Sequence, residues 1–191
     1  MRSKYLTSSQ FFCEKCGLLP AAQFADRKGL GCTDALLTIS HHLLKSLDAG
    51  MGSYIVELDF SAAFDRVSHS GLLFKLKSIG VGGSVLSNCR EFLSDRMQRV
   101  VVDGAGSEWI PIVSGGPQGS MLGPLLFIIY TSEMFELVEN RLFAYADGST
   151  LLAVFHKPAD RPAVGASLNR DLAKILEWCD HCCIILNPNK T

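Results

Sequence analysis

The sequence has few charged residues and almost no excess of either sign. Charged residues make up 19% of the 191 positions, and 18 Lys and Arg stand against 19 Asp and Glu, for a formal net charge of −1. Disordered chains are rich in charge and poor in apolar residues, whereas 48% of this chain is hydrophobic. A protein that binds nucleic acid by itself usually carries a clear positive excess. We therefore expect weak nucleic-acid binding by this chain alone, near non-specific strength.

Long apolar runs are also missing. None approaches the ~20 residues that span a bilayer, and the longest, 121–130, contains Gly123 and Pro124. The first residues, Met1 to Tyr5, lack the apolar stretch of a signal peptide. We expect a soluble intracellular protein, nuclear or cytoplasmic, without a membrane partner. The sequence leaves the oligomeric state open.

The cysteines do not form the pattern of a disulfide framework. Seven are present, an odd number, and they are scattered through a chain without a secretory signal. Two Cys-x-x-Cys pairs, Cys13/Cys16 and Cys179/Cys182, could supply four thiolates to zinc. The pairs are about 160 residues apart, against ~15–20 in the usual zinc pattern. Buried thiols are the favoured interpretation, and a zinc module is the alternative.

Apolar residues at helical spacing predict five helical segments. Thr33 is predicted to be the N-cap of the first, and Pro124 is acceptable in the first turn of the fourth. Pro162 opens the last, whose apolar stripe is predicted to include Leu176. The predicted segments are approximately 33–50, 72–80, 85–93, 121–138 and 162–179.

Residues 54–60 alternate as a strand does, with Glu57 and Asp59 on the face opposite Leu58. A hairpin is predicted over 97–113, turning at 103–106. Two apolar strands, 141–147 and 149–155, are predicted to meet at Asp147-Gly148, because Asp-Gly between such runs is a strong hairpin signal. A last strand is predicted at 183–186.

With residues 61–118 set aside as an insertion, the element order is strand, helix, strand, strand, helix, strand. This is the split β-α-β order of ferredoxin-like α+β folds, in which the first strand lies beside the central hairpin. Asp59 and Asp147 could therefore converge, and two carboxylates at a sheet end suit Mg²⁺. With a phosphate-bearing substrate, two such ions can clamp an in-line displacement. The alternative is that each is an ordinary Asp at a strand end, where turns favour it.

Four segments, in this order, resemble the palm motifs of the reverse transcriptases of non-LTR (LINE-like) retrotransposons and, more distantly, of group II introns. They are Leu58–Asp65, Gly115–Leu125, Tyr145–Asp147 and Leu186–Thr191. Upstream, Gln23–Gly29 resembles the fingers segment of that family. The resemblance implies a polymerase palm with partial fingers and an inserted helical and hairpin segment. It implies a fingers–palm domain at 21–191, truncated before the thumb. The weak periodicity at the start of the chain predicts an irregular segment at 1–20.

The resemblance also implies residue roles. Asp59 and Asp147 would be the catalytic ligands of Mg²⁺ or Mn²⁺. RNA template, DNA primer and dNTP would be the partners. The nucleotide-binding residues would be Phe64 under the incoming sugar, Gln118 and Gly119 under the templating pair, Arg27 and Lys28 at the triphosphate, and Lys190 near the leaving pyrophosphate. Core packing for Phe64 and simple solvation for the three basic residues are the alternatives.

The chain departs from the family pattern at its most acidic motif. Tyr145-Ala146-Asp147-Gly148 stands where the family has Tyr-Ala-Asp-Asp, so Gly148 replaces a carboxylate, for which Glu57 could partly compensate. Gly116 and Asp26 also replace residues that are usually apolar or uncharged. We expect RNA-templated DNA synthesis by two-metal nucleotidyl transfer, impaired or absent in this chain. The alternative is a non-catalytic palm remnant that acts as an interaction module.

Overall fold

The computed structural model describes residues 17–117, 119–120 and 122–191. Its helices are α1 (Cys32–Asp48), α2 (His69–Ser78), α3 (Gly83–Leu93), α4 (Leu122–Thr131), α5 (Met134–Leu137) and α6 (Arg161–Cys182). Its strands are β1 (Gly52–Ser61), β2 (Met97–Gln98), β3 (Val101–Val102), β4 (Ala105–Gly106), β5 (Ile110–Pro111), β6 (Arg141–Tyr145), β7 (Gly148–Phe155) and β8 (Ile185–Leu186). Among the helices of the described ranges, none has both the length and the apolar character needed to cross a membrane.

Four strands form one antiparallel sheet in the order β6-β7-β1-β8. β1 pairs with β7 along most of its length, from Gly52 opposite Phe155 to Asp59 opposite Gly148. The end of β1 pairs on its other side with β8. The first strand therefore lies beside the 141–155 hairpin, as the sequence predicts.

The main core lies on one face of this sheet, where α4 and α6 cover it. Leu58 and Phe60 of β1 are buried there together with Ile175 and Trp178 of α6. α4 is apolar around its whole circumference, and such a helix is stable only when it is buried on all sides. On the other face, α1 packs on a smaller cluster of Phe24, Ala35, Phe143 and Leu152. This face also carries Asp59, beyond the part that α1 covers.

The first helix begins earlier than predicted. Gly31, not Thr33, is the N-cap, and its backbone N–H donates to the Asp34 carboxylate at 2.8 Å. The acid near the helix N-terminus favours this start, because it accepts from an amide that the helix itself leaves unpaired.

The predicted 121–138 segment is two helices, α4 and α5, interrupted between Thr131 and Met134. The Thr131 hydroxyl donates to the Phe127 carbonyl at 3.1 Å, and the Ser132 hydroxyl donates to the Ile129 carbonyl at 2.8 Å. Hydroxyls that bond to the preceding turn compete with the backbone ladder and bend or end helices.

Two predictions at the C-terminal end of α6 are wrong. Leu176 is 52% exposed, and Trp178 is buried instead. Cys183 is a left-handed C-cap with φ +56, so the last strand contains only Ile185 and Leu186. Residues with a Cβ seldom adopt this conformation, and it ends the helix before a strand can begin.

Cys179 and Cys182 lie in the last turns of α6. Burial, together with the charges of Cys182 and Asp180, raises the pKa of the Cys179 thiol to about 12, and burial also raises that of Cys182. Zinc binds the thiolate form, so this environment favours the buried-thiol interpretation. The other predicted pair, Cys13 and Cys16, lies outside the described residues.

The 97–113 hairpin consists of two short ladders, β2 with β5 and β3 with β4. Its turn is tighter than predicted, because Asp103 and Gly104 alone connect β3 to β4 and both have positive φ.

Candidate active site

Asp59 lies near the end of β1, on the face opposite the main core. Alternation along the strand places Glu57 and Asp59 on this face, while Leu58 and Phe60 are buried on the other. The register pairs Asp59 with Gly148, the first residue of β7. The end of β1 therefore stands beside the tip of the β6–β7 hairpin.

The hairpin tip carries Asp147. Tyr145 pairs with Gly148, so the two-residue turn is Ala146-Asp147, and the predicted turn pair Asp147-Gly148 is wrong by one position. The pairing register overrides the turn preference of Asp-Gly, and it makes Gly148 the first residue of β7 rather than a turn residue. The left-handed residue is Ala146, at φ +55. The structure thus brings Asp59 and Asp147 to the same end of the sheet.

The segment 187–191 surrounds Asp59. The Asn187 backbone N–H donates to the Asp59 carbonyl at 2.8 Å, and its side-chain amide donates to Asp59 Oδ2 at 3.3 Å. Lys190 Nζ lies 3.5 Å from the same Oδ2. The Lys190 side chain is 66% exposed, so solvent screens this ion pair. The sequence analysis assigned no role to Asn187. Its position three residues before Lys190, in a segment that resembles a palm motif, is the signal that could have identified it.

Glu57 shares the face of Asp59 but already has a partner. The Thr150 hydroxyl, across the β1–β7 pair, donates to the Glu57 carboxylate at 2.9 Å. Thr150 is buried, and its hydroxyl needs an acceptor there. Glu57 therefore stabilises the β1–β7 pair by accepting this hydrogen bond.

The glycine-rich loop is anchored on the turn that follows β1. The backbone N–H groups of Gly115 and Gly116 donate to the carbonyls of Val67 and Phe64, at 2.8 and 3.1 Å. His69 Nε2 lies 2.8 Å from the Gly115 carbonyl oxygen. These contacts hold the loop in place relative to the end of β1.

Phe64 packs beneath this loop, with its ring 4.5 Å from that of Phe127 between centroids. Its side chain is only partly buried, so core packing explains part of its position. Gly119 has φ +73, a conformation that favours glycine. Gln118, the other predicted residue of this loop, lies outside the described residues.

The predicted fingers residues lie on a turn beside β6. Arg27 Nη1 donates to the Pro20 carbonyl at 3.0 Å, so the guanidinium stabilises its own turn. Lys28 is exposed. Asp26 has φ +50, and Asp tolerates this left-handed conformation better than most residues with a Cβ.

The donor set at the sheet end has the chemistry of a Mg²⁺ site. Carboxylate oxygens are the ligands that Mg²⁺ prefers, and it is commonly held by one or two carboxylates together with substrate phosphates. Asp59 already binds a cation, the Lys190 ammonium, and its side chain is 28% exposed. Within the described ranges no cluster of three His, Cys, Asp or Glu is placed to hold a metal. Asp59 and Asp147 therefore fit the ion only if substrate oxygens complete its shell.

Telomerases are among the solved structures with the same architecture. The chain matches the structure of apo telomerase from Candida tropicalis, truncated from its C-terminal domain, with a TM-score of 0.67 and 16% identity over 98% of this chain and 39% of that one. It matches telomerase from Candida albicans, in complex with a fragment of telomeric RNA, with a TM-score of 0.65 and 16% identity over 97% of this chain and 33% of that one. The fold is that of a palm-type polymerase.

The family model for reverse transcriptase (RNA-dependent DNA polymerase) matches residues 8–191, and the chain belongs to this family. It is 30% identical, over 91% of its length, to the probable RNA-directed DNA polymerase from transposon BS of Drosophila melanogaster. It is 31% identical, over 90%, to the RNA-directed DNA polymerase from mobile element jockey of the same species. The domain is of the non-LTR retrotransposon type. The chain spans 20% and 19% of the length of these two relatives.

Proposed function

We propose that this chain is the fingers–palm part of an RNA-directed DNA polymerase, which joins a dNTP to a primer 3′-hydroxyl on an RNA template. One observation carries the proposal: the pairing of Asp59 with Gly148 puts Asp59 and Asp147 at one end of the sheet. Family membership supports the reaction class, and the site supplies the acidic pair that this reaction needs.

The proposed architecture is a ferredoxin-like palm at 21–191. The sheet order β6-β7-β1-β8, with α4 before the hairpin and α6 after it, supports the split β-α-β topology. The backbone N–H of Phe24 donates to the Ala144 carbonyl at 2.9 Å, which supports placing the domain start near residue 21.

In this proposal Asp59 and Asp147 hold Mg²⁺ or Mn²⁺. Ions held there would supply activation of the attacking hydroxyl and neutralisation of charge on the transferred phosphoryl group. Lys190 exchanges its contact with Asp59 for the departing pyrophosphate, since a flexible ammonium can move between the two anions. Phe64 packs below the incoming sugar, and Gln118 and Gly119 shape the floor under the templating pair.

Nucleic-acid binding by this chain alone is proposed to be weak. The net charge of −1 gives no positive excess, and the Arg27 guanidinium bonds to its own turn. A salt titration of binding to an RNA–DNA primer–template should give a shallow slope, because few phosphates are neutralised. Tight binding at physiological salt would contradict this expectation.

Metal binding gives the most direct test of the proposed site. Asp59→Asn and Asp147→Asn should each weaken Mn²⁺ binding at least tenfold, measured by electron paramagnetic resonance. Asp103→Asn is the matched control, because it removes the same charge at the tip of another hairpin. If both site variants bind Mn²⁺ as the control does, Asp59 and Asp147 are not metal ligands.

A non-catalytic remnant is the second candidate, and Gly148 favours it. The family's second hairpin carboxylate is absent at this position, so fewer oxygens are available to two dications. Primer extension with Mg²⁺ and with Mn²⁺ separates the candidates. Nucleotide addition that Asp59→Asn abolishes supports the polymerase, and its absence in a protein that binds Mn²⁺ supports the remnant.

Gly148→Asp should strengthen Mn²⁺ binding without a backbone penalty. Gly148 is not among the residues with positive φ, and of the described atoms a Cβ there would meet the Tyr145 carbonyl oxygen alone, at 3.6 Å. The new carboxylate beside Asp147 and Asp59 should raise a carboxyl pKa and destabilise the metal-free protein. Melting temperatures with and without Mn²⁺ should show a larger metal-dependent increase than in the wild type.

The control for that variant is Gly82→Asp, an exposed position where a Cβ would have no atom of the described part of the chain within 4 Å. Equal Mn²⁺-dependent increases in the two variants would contradict a metal-binding hairpin. Polymerisation should stay poor in Gly148→Asp, because primer positioning controls the rate as strongly as charge and this substitution changes the charge alone.

A further inference from the structure

Gln23 is a buried polar residue for which the proposed chemistry has no use. Its side chain is 1% exposed. Its Oε1 accepts the Ala25 backbone N–H at 3.0 Å, and its Nε2 donates to the Ala146 carbonyl at 3.4 Å. Ala25 and Ala146 are 121 positions apart along the chain, so the single carboxamide of Gln23 joins two segments that are distant in sequence.

The backbone around Gln23 strengthens this junction. Phe24 N–H donates to the Ala144 carbonyl, and Ala144 N–H donates to the Ala22 carbonyl, each at 2.9 Å. Residues 22–24 therefore lie parallel to β6 at the outer edge of the sheet. The side chain of Gln23 extends this contact from the strand to the turn beyond it.

The turn that Gln23 contacts is a strained one. Ala146 has φ +55, a conformation that costs free energy for any residue with a Cβ. The next residue is Asp147. A conformation of this kind persists where its surroundings hold it in place, and the hydrogen bond to the Ala146 carbonyl comes from outside the hairpin itself.

The other end of the junction is the turn that carries Arg27. Arg27 Nη1 donates to the Pro20 carbonyl at 3.0 Å and to the Gln23 carbonyl at 3.4 Å. The turn of residues 20–27 is thereby closed on itself, with Gln23 inside it. A displacement of this turn would move the carboxamide that holds Ala146.

We propose that Gln23 is a positioning residue that ties the 20–27 turn to the hairpin turn and so sets the orientation of Asp147. The tie itself is independent of the reaction, and its effect on metal binding rests on the proposed function. It couples the segment matched to the family's fingers with one of the two proposed metal ligands, so a ligand that orders one should order the other.

Hydrogen exchange tests the tie without any metal. Gln23→Met has a similar length but no N–H donor, and Thr131→Val is the control, because it removes another buried hydrogen-bonding group, one that bonds to the Phe127 carbonyl within its own helix. We expect the amides of residues 146–148 to exchange at least fivefold faster in Gln23→Met relative to those of 151–153. The control should leave this ratio unchanged. The same ratio in both variants would overturn the proposal.

The wild-type protein supplies a measurement that does not depend on how the variant folds. In its NMR spectrum the carboxamide protons of Gln23 should show nuclear Overhauser contacts to Ala146 or Asp147 and should exchange slowly. A freely exchanging carboxamide without such contacts would overturn the tie.

Metal binding separates this inference from the proposed function. If Asp147 is a ligand that Gln23 orients, Gln23→Met should bind Mn²⁺ at least fivefold more weakly than Thr131→Val. Unchanged Mn²⁺ affinity together with faster exchange at 146–148 would overturn the orienting role toward the metal. A wild type that binds no Mn²⁺ would overturn the proposed function, while the exchange and NMR results would still decide the tie.

Discussion

Gly115→Ala should lower the free energy of unfolding by roughly 3 kcal/mol, from left-handed strain and steric overlap together. Gly115 has φ +82, and a Cβ would lie 2.7 Å from the Asp65 Cα and 2.8 Å from its carbonyl oxygen. Both obstacles are backbone atoms, so no side-chain rotation can relieve them. The loop would have to move away from the turn after β1 and lose the hydrogen bond to Val67.

Gly119→Ala is the matched control in the same loop. Gly119 has a similar φ of +73, but none of the described residues has an atom within 4 Å of its Cβ position. Only the conformational penalty of about 1–2 kcal/mol should remain. Urea denaturation of the two variants separates close approach from backbone strain, and equal losses would show that Gly115 does not contact the Asp65 backbone in solution.

Asp171→Ala should cost about 3–5 kcal/mol, because it removes the acceptor of several buried donors. Asp171 is 0% exposed. Its carboxylate accepts the backbone N–H groups of Glu139 and Asn140, each at 2.9 Å, and the Asn140 side-chain amide at 2.7 Å. It thereby holds the connection from α5 to β6, the first strand of the hairpin. Thermal unfolding should show a correspondingly large drop in melting temperature.

The same carboxyl should make stability depend on pH. Burial alone would raise the pKa of Asp171, but the hydrogen bonds from Glu139 and Asn140 outweigh it and hold the pKa below its usual value. A lowered native pKa stabilises the fold fully above the unfolded pKa of about 3.9, and this contribution is lost as pH falls through the native pKa. As pH falls from about 5 to about 2, the free energy of unfolding should therefore decrease less in Asp171→Ala than in the wild type, because the variant lacks the carboxyl that takes up a proton.

Glu139→Gln is the control for the pH series. The hydrogen bond and the charge of Lys174, followed by those of Arg170, also lower the pKa of the Glu139 carboxyl, but that group is exposed. Exposed ion pairs contribute little, so this variant should follow the wild-type curve closely. A wild-type acid slope that survives in Asp171→Ala would assign the pH dependence to other carboxyls.

The local sequence pattern was sufficient to predict the strands and helices that carry the candidate site. Strand alternation placed Asp59 on the face opposite Leu58, and Pro162 marked the start of α6 within one residue. The order of the elements then put β1 beside the hairpin. These features depend on side-chain period and on proline geometry, which a sequence displays directly.

The missed features depend on contacts between distant residues. The hairpin turn moved to Ala146-Asp147 because pairing along β6 and β7 set the register, against the local Asp-Gly preference. Gln23 and Asp171 acquire their roles from partners 123 and 31–32 positions away, and periodicity carries no information about such partners. The contact of Lys190 with Asp59 is of the same kind.

The pairing of β1 with β7 also determines how long β1 remains unpaired while the chain is being synthesised. At 5–20 residues per second, β1 leaves the ribosome on the order of 5–20 s before the partner strand about 90 residues downstream. During that interval the apolar row of β1, which includes Leu58 and Phe60, has no hydrogen-bonding neighbour from this sheet. An unpaired apolar strand is a template for aggregation, so the nascent chain should depend on holding chaperones until residue 155 has emerged.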